Sequence, residues 1–267
     1  MILAPKSKLL KQRHGDAPTI VQILPAMVRG GVERGTVEMA DAIQKHGGRA
    51  VVISHGGPMV RHLDRLGATH HQLDVHTKNP FRWPQVRRQL KAILSRENAD
   101  LVHIRSRVPA WIALPAAAAL GIATVSTVHG RFVAMSAFKR IYNRKLLKTD
   151  HVIAISNYVK DLITSQYVGV EDRLTVVHRG VDIDLFNPGN VNQTRIVNFV
   201  EGLAIPEDVP VIMLPARATM WKGHRILLQA LAKIKDRPFI CLMIGAGDGK
   251  PAFVSELVRL GQQLGLE

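Results

Sequence analysis

The chain alternates short, β-branched apolar runs with helix-like segments, and that alternation leaves few folds open. Thr19 to Leu24 reads TIVQIL, Ala50 to Ser54 AVVIS and Asp100 to Ile104 DLVHI; Ile122 to Thr127 reads IATVST, His151 to Ile155 HVIAI and Leu174 to Val177 LTVV. Near-continuous apolar runs of this length fit strands buried on both faces, as in a parallel sheet. Thr69 to Leu73 is a weaker strand of the same series. The segments between them carry helical spacing, with Val32, Thr36, Met39 and Ile43 on one face. Parallel neighbours need a crossover, which a helix supplies. The expected class is therefore α/β, a doubly wound parallel sheet covered on both sides.

A second β-α-β unit begins at Val209, with strands Val209 to Leu214 and Phe239 to Ile244 around a helix from Arg225 to Ile234. Phe186-Asn187-Pro188-Gly189 interrupts the first pattern. The polar stretch Asn190 to Asn198 and the acidic, Pro-bearing stretch Glu201 to Pro210 then read as a crossover. The expected organisation is a disordered basic tail over 1–18, a first domain over 19–188, a linker over 189–208 and an incomplete second domain over 209–267. The two domains are expected to face each other across a cleft. Ligands in such sheets bind beyond the carboxyl ends of the strands. The loops there hold Gly30-Gly31, Arg105, His129-Gly130, Gly180 to Asp182, Arg217 to Lys222 and Gly245 to Gly249.

The formal net charge is +15, which favours anionic partners: nucleic acid, an acidic lipid surface or phosphorylated small molecules. Nucleic acid is disfavoured, because three Tyr, seven Phe and three Trp offer little for base stacking and no nucleic-acid motif occurs. The single cysteine, Cys241, lies in an apolar run and reads as a buried, inert thiol suited to a reducing compartment. The N-terminal stretch lacks the apolar core of a secretory signal. The uncharged stretch between Arg107 and His129 is long enough to span a bilayer. Pro109, Pro115 and Gly121 divide it instead into an Ala-rich helix, a turn and a strand.

The loop Pro215-Ala-Arg217-Ala-Thr-Met-Trp-Lys222-Gly223-His leads from a strand into a helix. Helix N-termini present unpaired N–H groups and positive potential. Arg217 adds a planar fork of donors and Lys222 a compact charge, so the loop suits a phosphate. Gly30-Gly31 before the first helix would allow close approach of a bulky group, but taken alone it reads first as a plain tight turn. It is not a G-x-G-x-x-G fingerprint. Gly245 and Gly247 sit in a glycine run able to cradle a base or phosphate. His129 follows a strand and precedes a glycine, placed to meet a sugar hydroxyl or a leaving group. Histidine spacing gives no metal site. Arg140, Arg144 and Lys148 recur every four residues, and with Arg131 they form a basic face. That face fits an anionic membrane surface, a phosphorylated lipid acceptor or plain solvent.

The ordered set GGVE at 30–33, DLVHIRS at 100–106, TVHG at 127–130, AISNYVKDLI at 154–163, RGVDIDLFNP at 179–188 and PARATMWKGH at 215–224 resembles the family 4 glycosyltransferases. The resemblance implies a GT-B architecture of two facing Rossmann-like domains, the second incomplete here. It implies transfer of a hexose-type sugar, with retention, from a nucleotide diphosphate sugar to a glycan or lipid-linked acceptor in envelope polysaccharide or lipopolysaccharide assembly. Arg217 and Lys222 would then hold the donor diphosphate, His129 would lie against the donor sugar, and Gly31 would approach donor phosphate or acceptor. No cofactor or metal is implied. The implied location is the cytoplasm, peripheral on the inner face of the plasma membrane through the segment 131–148. One feature departs from the family: two glutamates separated by seven residues, expected beyond the Arg/Lys loop, do not occur. A catalytically incomplete acceptor-binding fragment and a GT-B sugar-nucleotide epimerase are the rival expectations.

Overall fold

The computed structural model describes residues 17–130, 132–134, 136–245 and 250–266. Arg131, Gly247 and most of the N-terminal tail lie outside them. The chain divides into two compact units between Gly180 and Val181.

The first unit carries seven strands: β1 (Thr19–Ile23), β2 (Arg49–Ser54), β3 (Thr69–Gln72), β4 (Leu101–Ile104), β5 (Ala123–Val128), β6 (His151–Ala154) and β7 (Leu174–Val176). They form one parallel sheet in the order β3-β2-β1-β4-β5-β6-β7. The connecting helices are α1 (Gly31–Lys45), α2 (Val60–Leu66), α3 (Trp83–Arg96), α4 (Arg107–Ala118), α5 (Ala137–Arg144) and α6 (Asn157–Thr164). β2 shows why both faces are covered. Val51 and Ile53 pack with Leu90, Leu94 and Ile112 on one side, while Ala50 and Val52 pack with Ala40, Ile43 and Leu63 on the other. Alternate side chains point to opposite faces, so an unbroken apolar run needs a layer on each.

The Ala-rich segment is helix α4 followed by strand β5, and among the described residues no helix is long and apolar enough to cross a membrane. Ser156 caps α6 by accepting a hydrogen bond from the Val159 amide at 3.2 Å. Helix α5, which carries Arg140 and Arg144, ends at Arg144, and a 3-10 turn, Leu146–Lys148, follows it. Leu146 and Leu147 are buried there, so packing decides where the regular helix stops.

Two loops on the carboxyl side are locked together. The Met27 amide donates to Gly56 O at 2.8 Å, and the Met59 amide donates to Met27 O at 2.9 Å. Gly57 has φ of +139°, and a Cβ there would fall 2.5 Å from Met27 O, so a side chain is excluded by backbone. This clasp fixes the path that delivers Gly30 to the start of α1.

The second unit holds α7 (Gln193–Gly202), β8 (Val211–Met213), α8 (His224–Leu231), β9 (Ile240–Leu242) and α9 (Pro251–Gln263). β8 and β9 pair in parallel. Its core gathers Ala218, Leu228 and Leu257, with Met243, Phe253 and Leu260 packed against them. The polar stretch read as linker contains α7. Its N-terminus is capped by Asn192, whose side chain accepts from the Thr194 amide at 2.7 Å. None of the α7 residues is buried, although Ile196, Phe199 and Val200 fall on one side of it at helical spacing.

Candidate active site

In the first unit, the sheet order reverses between β1 and β4, and functional loops of open α/β sheets gather beyond the strand ends at that point. Arg105 follows β4 there. Its amide donates to Ile23 O at 2.9 Å, and its Nη1 donates to Gln22 Oε1 at 2.6 Å. Gln22 is itself held, its Nε2 donating to Thr36 O at 3.0 Å. Arg105 is 6% exposed, and its Nε is buried without a hydrogen-bond partner among the described residues. Burial, and secondarily the nearby Arg179, push the Arg105 guanidinium down to about 10, while Glu38 and Glu33 oppose that. At any ordinary pH it remains a cation.

Arg179, which follows β7, reaches the first turns of α1. A Cβ on Gly35 would lie 2.7 Å from Arg179 Nη2 and 3.2 Å from Arg105 Nη2, and one on Gly31 would lie 3.1 Å from Arg179 Nη1. Two guanidinium groups therefore occupy the space that side chains at Gly31 and Gly35 would fill. Glu38 lies 3.8 Å from Arg179. Gly30 precedes α1 in extended backbone, and its carbonyl accepts from the Arg34 amide at 3.0 Å.

His129 follows β5. Both its ring nitrogens are buried without a partner among the described residues. Burial, then Arg105 and Arg179, hold its pKa at about 3, so the imidazole is neutral at working pH. It can donate through one nitrogen and accept through the other, as a sugar hydroxyl requires. His103, bonded to Thr127 Oγ1 at 2.7 Å beneath it, is also held at about 3, first by burial and then by Arg105 and His129. A cavity of about 230 Å³ opens here, lined by Arg105, Ser106, Arg107, Thr127, His129 and Phe132 among others, with no acidic side chain among the described residues of its wall.

In the second unit, the Arg/Lys loop is pinned from within. Ala218 is 1% exposed and sits in the core cluster, between an exposed Arg217 and an exposed Lys222. His224, also 1% exposed, donates from Nε2 to Ala216 O at 3.3 Å and so ties the two ends of the loop. Gly223 then takes φ of +84° and opens α8. Among the described residues, neither Arg217 nor Lys222 has a hydrogen bond or ion pair through its side chain. Gly245, φ +83°, lies against Ala216, where a Cβ would make ordinary contact at 3.5 Å. The Ala216 amide donates to Ile244 O at 2.9 Å. The loops after β8 and β9 are thus neighbours at Ala216.

Arg140 and Arg144 are exposed on α5 and Lys148 on the turn after it, beside Phe138 and Ile141, which are 81% and 64% exposed. The histidine spacing missed one cluster. Ligand atoms of His55, Asp74 and His76 lie within 4.8 Å of one another, in the loops after β2 and β3. Asp74 Oδ1 is 2.9 Å from His76 Nδ1, and Asp74 Oδ2 is 3.3 Å from Arg82, so an internal cation already serves the carboxylate. The roles of Arg105, Arg179 and Gly35 were also missed. Arg105 stood in a motif and a strand-end loop, but nothing in its spacing linked it to Arg179.

Residues 29–185 match the family model described as Glycosyltransferase Family 4. A D-inositol 3-phosphate glycosyltransferase of Xylanimonas cellulosilytica is 30% identical over 119 residues, which are 44% of this chain and 28% of that protein. Among solved structures, a glycosyltransferase from Rickettsia africae superposes with a TM-score of 0.83 at 37% identity, covering 94% of this chain and 66% of that one. The Anabaena protein HepE, in complex with UDP-glucose, superposes with a TM-score of 0.76 at 20% identity, covering 93% of this chain and 66% of that one, and shares the fold. The chain thus aligns with under a third of the curated relative and about two-thirds of each solved structure. With more than half of its length matched by that model, and with the parallel sheet the fold requires, this chain belongs to glycosyltransferase family 4.

Proposed function

We propose that the protein transfers a hexose-type sugar from a nucleotide diphosphate sugar to a glycan or lipid-linked acceptor, with retention at the anomeric carbon. The observation that carries this reading is the loop from Ala216 to Gly223. Its buried Ala218 and the His224 bond hold it in shape, while Arg217 and Lys222 stay exposed and free of acidic partners among the described residues. Arg217 forks onto diphosphate oxygens, and Lys222 adds charge where the leaving oxygen becomes an anion. The N–H groups at the start of α8 add to the same potential. His129, neutral and unpartnered, meets a sugar hydroxyl. HepE supports the donor class through its UDP-glucose complex, and the Xylanimonas relative supports a phosphorylated acceptor through its inositol phosphate.

The test is a transfer assay with UDP-glucose and other sugar nucleotides, scored by NMR of the product's anomeric proton. Acceptor-dependent product of unchanged anomeric configuration is expected. Inverted product rejects retention, and donor converted without acceptor favours an epimerase.

The face bearing Arg140, Arg144 and Lys148 beside exposed Phe138 and Ile141 supports peripheral attachment to the inner leaflet, where envelope glycans including lipopolysaccharide begin. Cosedimentation with vesicles of anionic lipid should fall several-fold for Arg140→Glu/Arg144→Glu, and should be weak with neutral lipid. Equal binding by variant and parent removes this surface from the account.

A further inference from the structure

β2 and β3 pair in parallel with Ser54 opposite Gln72, so the loops that follow them leave the sheet side by side. Both loops are anchored. The His55 amide donates to Pro25 O at 3.0 Å. Along the second loop burial alternates: Leu73, Val75 and Thr77 are buried, while Asp74 and His76 between them turn outward together. Trp83 Nε1 donates to Thr77 O at 2.9 Å and holds that loop from α3. His55 stands against the outward pair, its ring centre 4.9 Å from that of His76.

These three side chains do not satisfy one another. Asp74 Oδ1 and His76 Nδ1 lie 2.9 Å apart without the alignment of a hydrogen bond, and both atoms are buried with no hydrogen-bond partner among the described residues. Arg82 engages the other carboxylate oxygen, Oδ2, at 3.3 Å and leaves Oδ1 to the histidines. Zinc takes imidazole nitrogens and carboxylate oxygens at about 2.0–2.2 Å, which sets tetrahedral ligand atoms about 3.3 Å from one another. The three ligand atoms already fall within 4.8 Å, and a small turn of the exposed His55 ring closes the remainder. Two imidazoles disfavour magnesium and calcium, which take oxygen ligands.

We propose that His55, Asp74 and His76 hold a divalent ion of the zinc class through both imidazoles and Asp74 Oδ1, with water completing the shell. The ion clips the loop after β2 to the loop after β3. Gly56 and Gly57, next to His55, belong to the clasp with Met27 that sets the path to Gly30, so the clip braces that path from outside. Its role is to stiffen the loops, and neither the ion nor the bracing depends on the transferase reading.

The experiment titrates zinc into the full chain, stripped beforehand with a chelator, by calorimetry. One tight zinc per chain is expected, undisturbed by excess magnesium. Cobalt in its place should give the visible absorption of a tetrahedral site. His55→Ala, His76→Ala and Asp74→Asn should each weaken binding by about 100-fold or more, since losing a group that merely supports a ligand already costs about 10- to 100-fold. The chain has twelve histidines, so His46→Ala, at the exposed end of α1, serves as the control and should bind as the parent does. If His76→Ala fails to fold, the exposed His55→Ala decides. Zinc should also slow amide hydrogen exchange in peptides covering Met27, 55–59 and 74–77, and leave β5 to β7 unchanged. No saturable binding, or equal affinity in parent and ligand variants, overturns the site and leaves a surface cluster only. Tight zinc without slowed exchange in those loops overturns the bracing role.

Discussion

Alanine at Arg217 or at Lys222 is expected to slow sugar transfer by about 100- to 1000-fold, the range seen when one pre-placed stabiliser of a developing oxyanion is lost. Thermal stability should barely move. Both side chains are exposed and make no ion pair among the described residues, so their removal leaves no cavity and no orphaned partner. The contrast with their neighbours sharpens the test. Ala218 and His224 are each 1% exposed and hold the loop from inside. His224→Ala should therefore lower both the melting temperature and transfer, whereas Arg217→Ala and Lys222→Ala should lower transfer alone. Lys222→Arg should recover only part of the loss, because a fork does not reproduce a point charge. Normal turnover in both alanine variants would remove the proposed mechanism.

Acidification should destabilise the first unit well before carboxylates in general are protonated. His103 and His129 are both held at about 3 in the folded chain, while an unfolded histidine titrates near about 6.5. Between those values the unfolded state binds two more protons than the folded one, so unfolding becomes easier as pH falls. The slope approaches about 1.4 kcal/mol per pH unit for each histidine. From pH 6.5 to pH 5 the pair then accounts for roughly 2–4 kcal/mol. Urea titrations across that range measure it. His129→Asn should remove about half of the pair's share, because His103 keeps its own burial beside Thr127. A variant with an unchanged slope would show that His129 is protonated in the folded protein. That would also end its role as a neutral hydrogen-bonding group.

The first unit was legible in the sequence because burial on both faces leaves a mark on consecutive residues. The central strands and the crossovers between them follow from it, whereas β3, THHQ at the sheet edge with no buried residue, carries a weaker mark. The helix α7 was missed although Ile196, Phe199, Val200 and Leu203 recur at helical spacing, because the polar residues around them read as a crossover. The Arg217 loop could be read because its cations, its glycine and its helix lie within ten residues. The pairing of Arg105 with Arg179 could not, since the two sit at the ends of β4 and β7 and meet over α1. Gly35 likewise passed for an ordinary helical residue, its reason being a neighbour about 140 positions on. His55, Asp74 and His76 escaped for the same cause, two loops brought side by side by strand pairing alone.

The position of β1 has a consequence for how the polypeptide is made. It is made before the other strands of its sheet and lies near the middle of that sheet: Ile20 sits opposite Ala50 on one side and Leu101 on the other. At about 5–20 residues per second, a nascent chain leaves one flank of that strand bare for several seconds while the next eighty or so residues emerge from the ribosome. A naked Val- and Ile-rich ribbon is an invitation to intermolecular pairing. Slowing elongation between codons 55 and 100 should therefore raise the insoluble fraction, and a holdase chaperone should bring it back down.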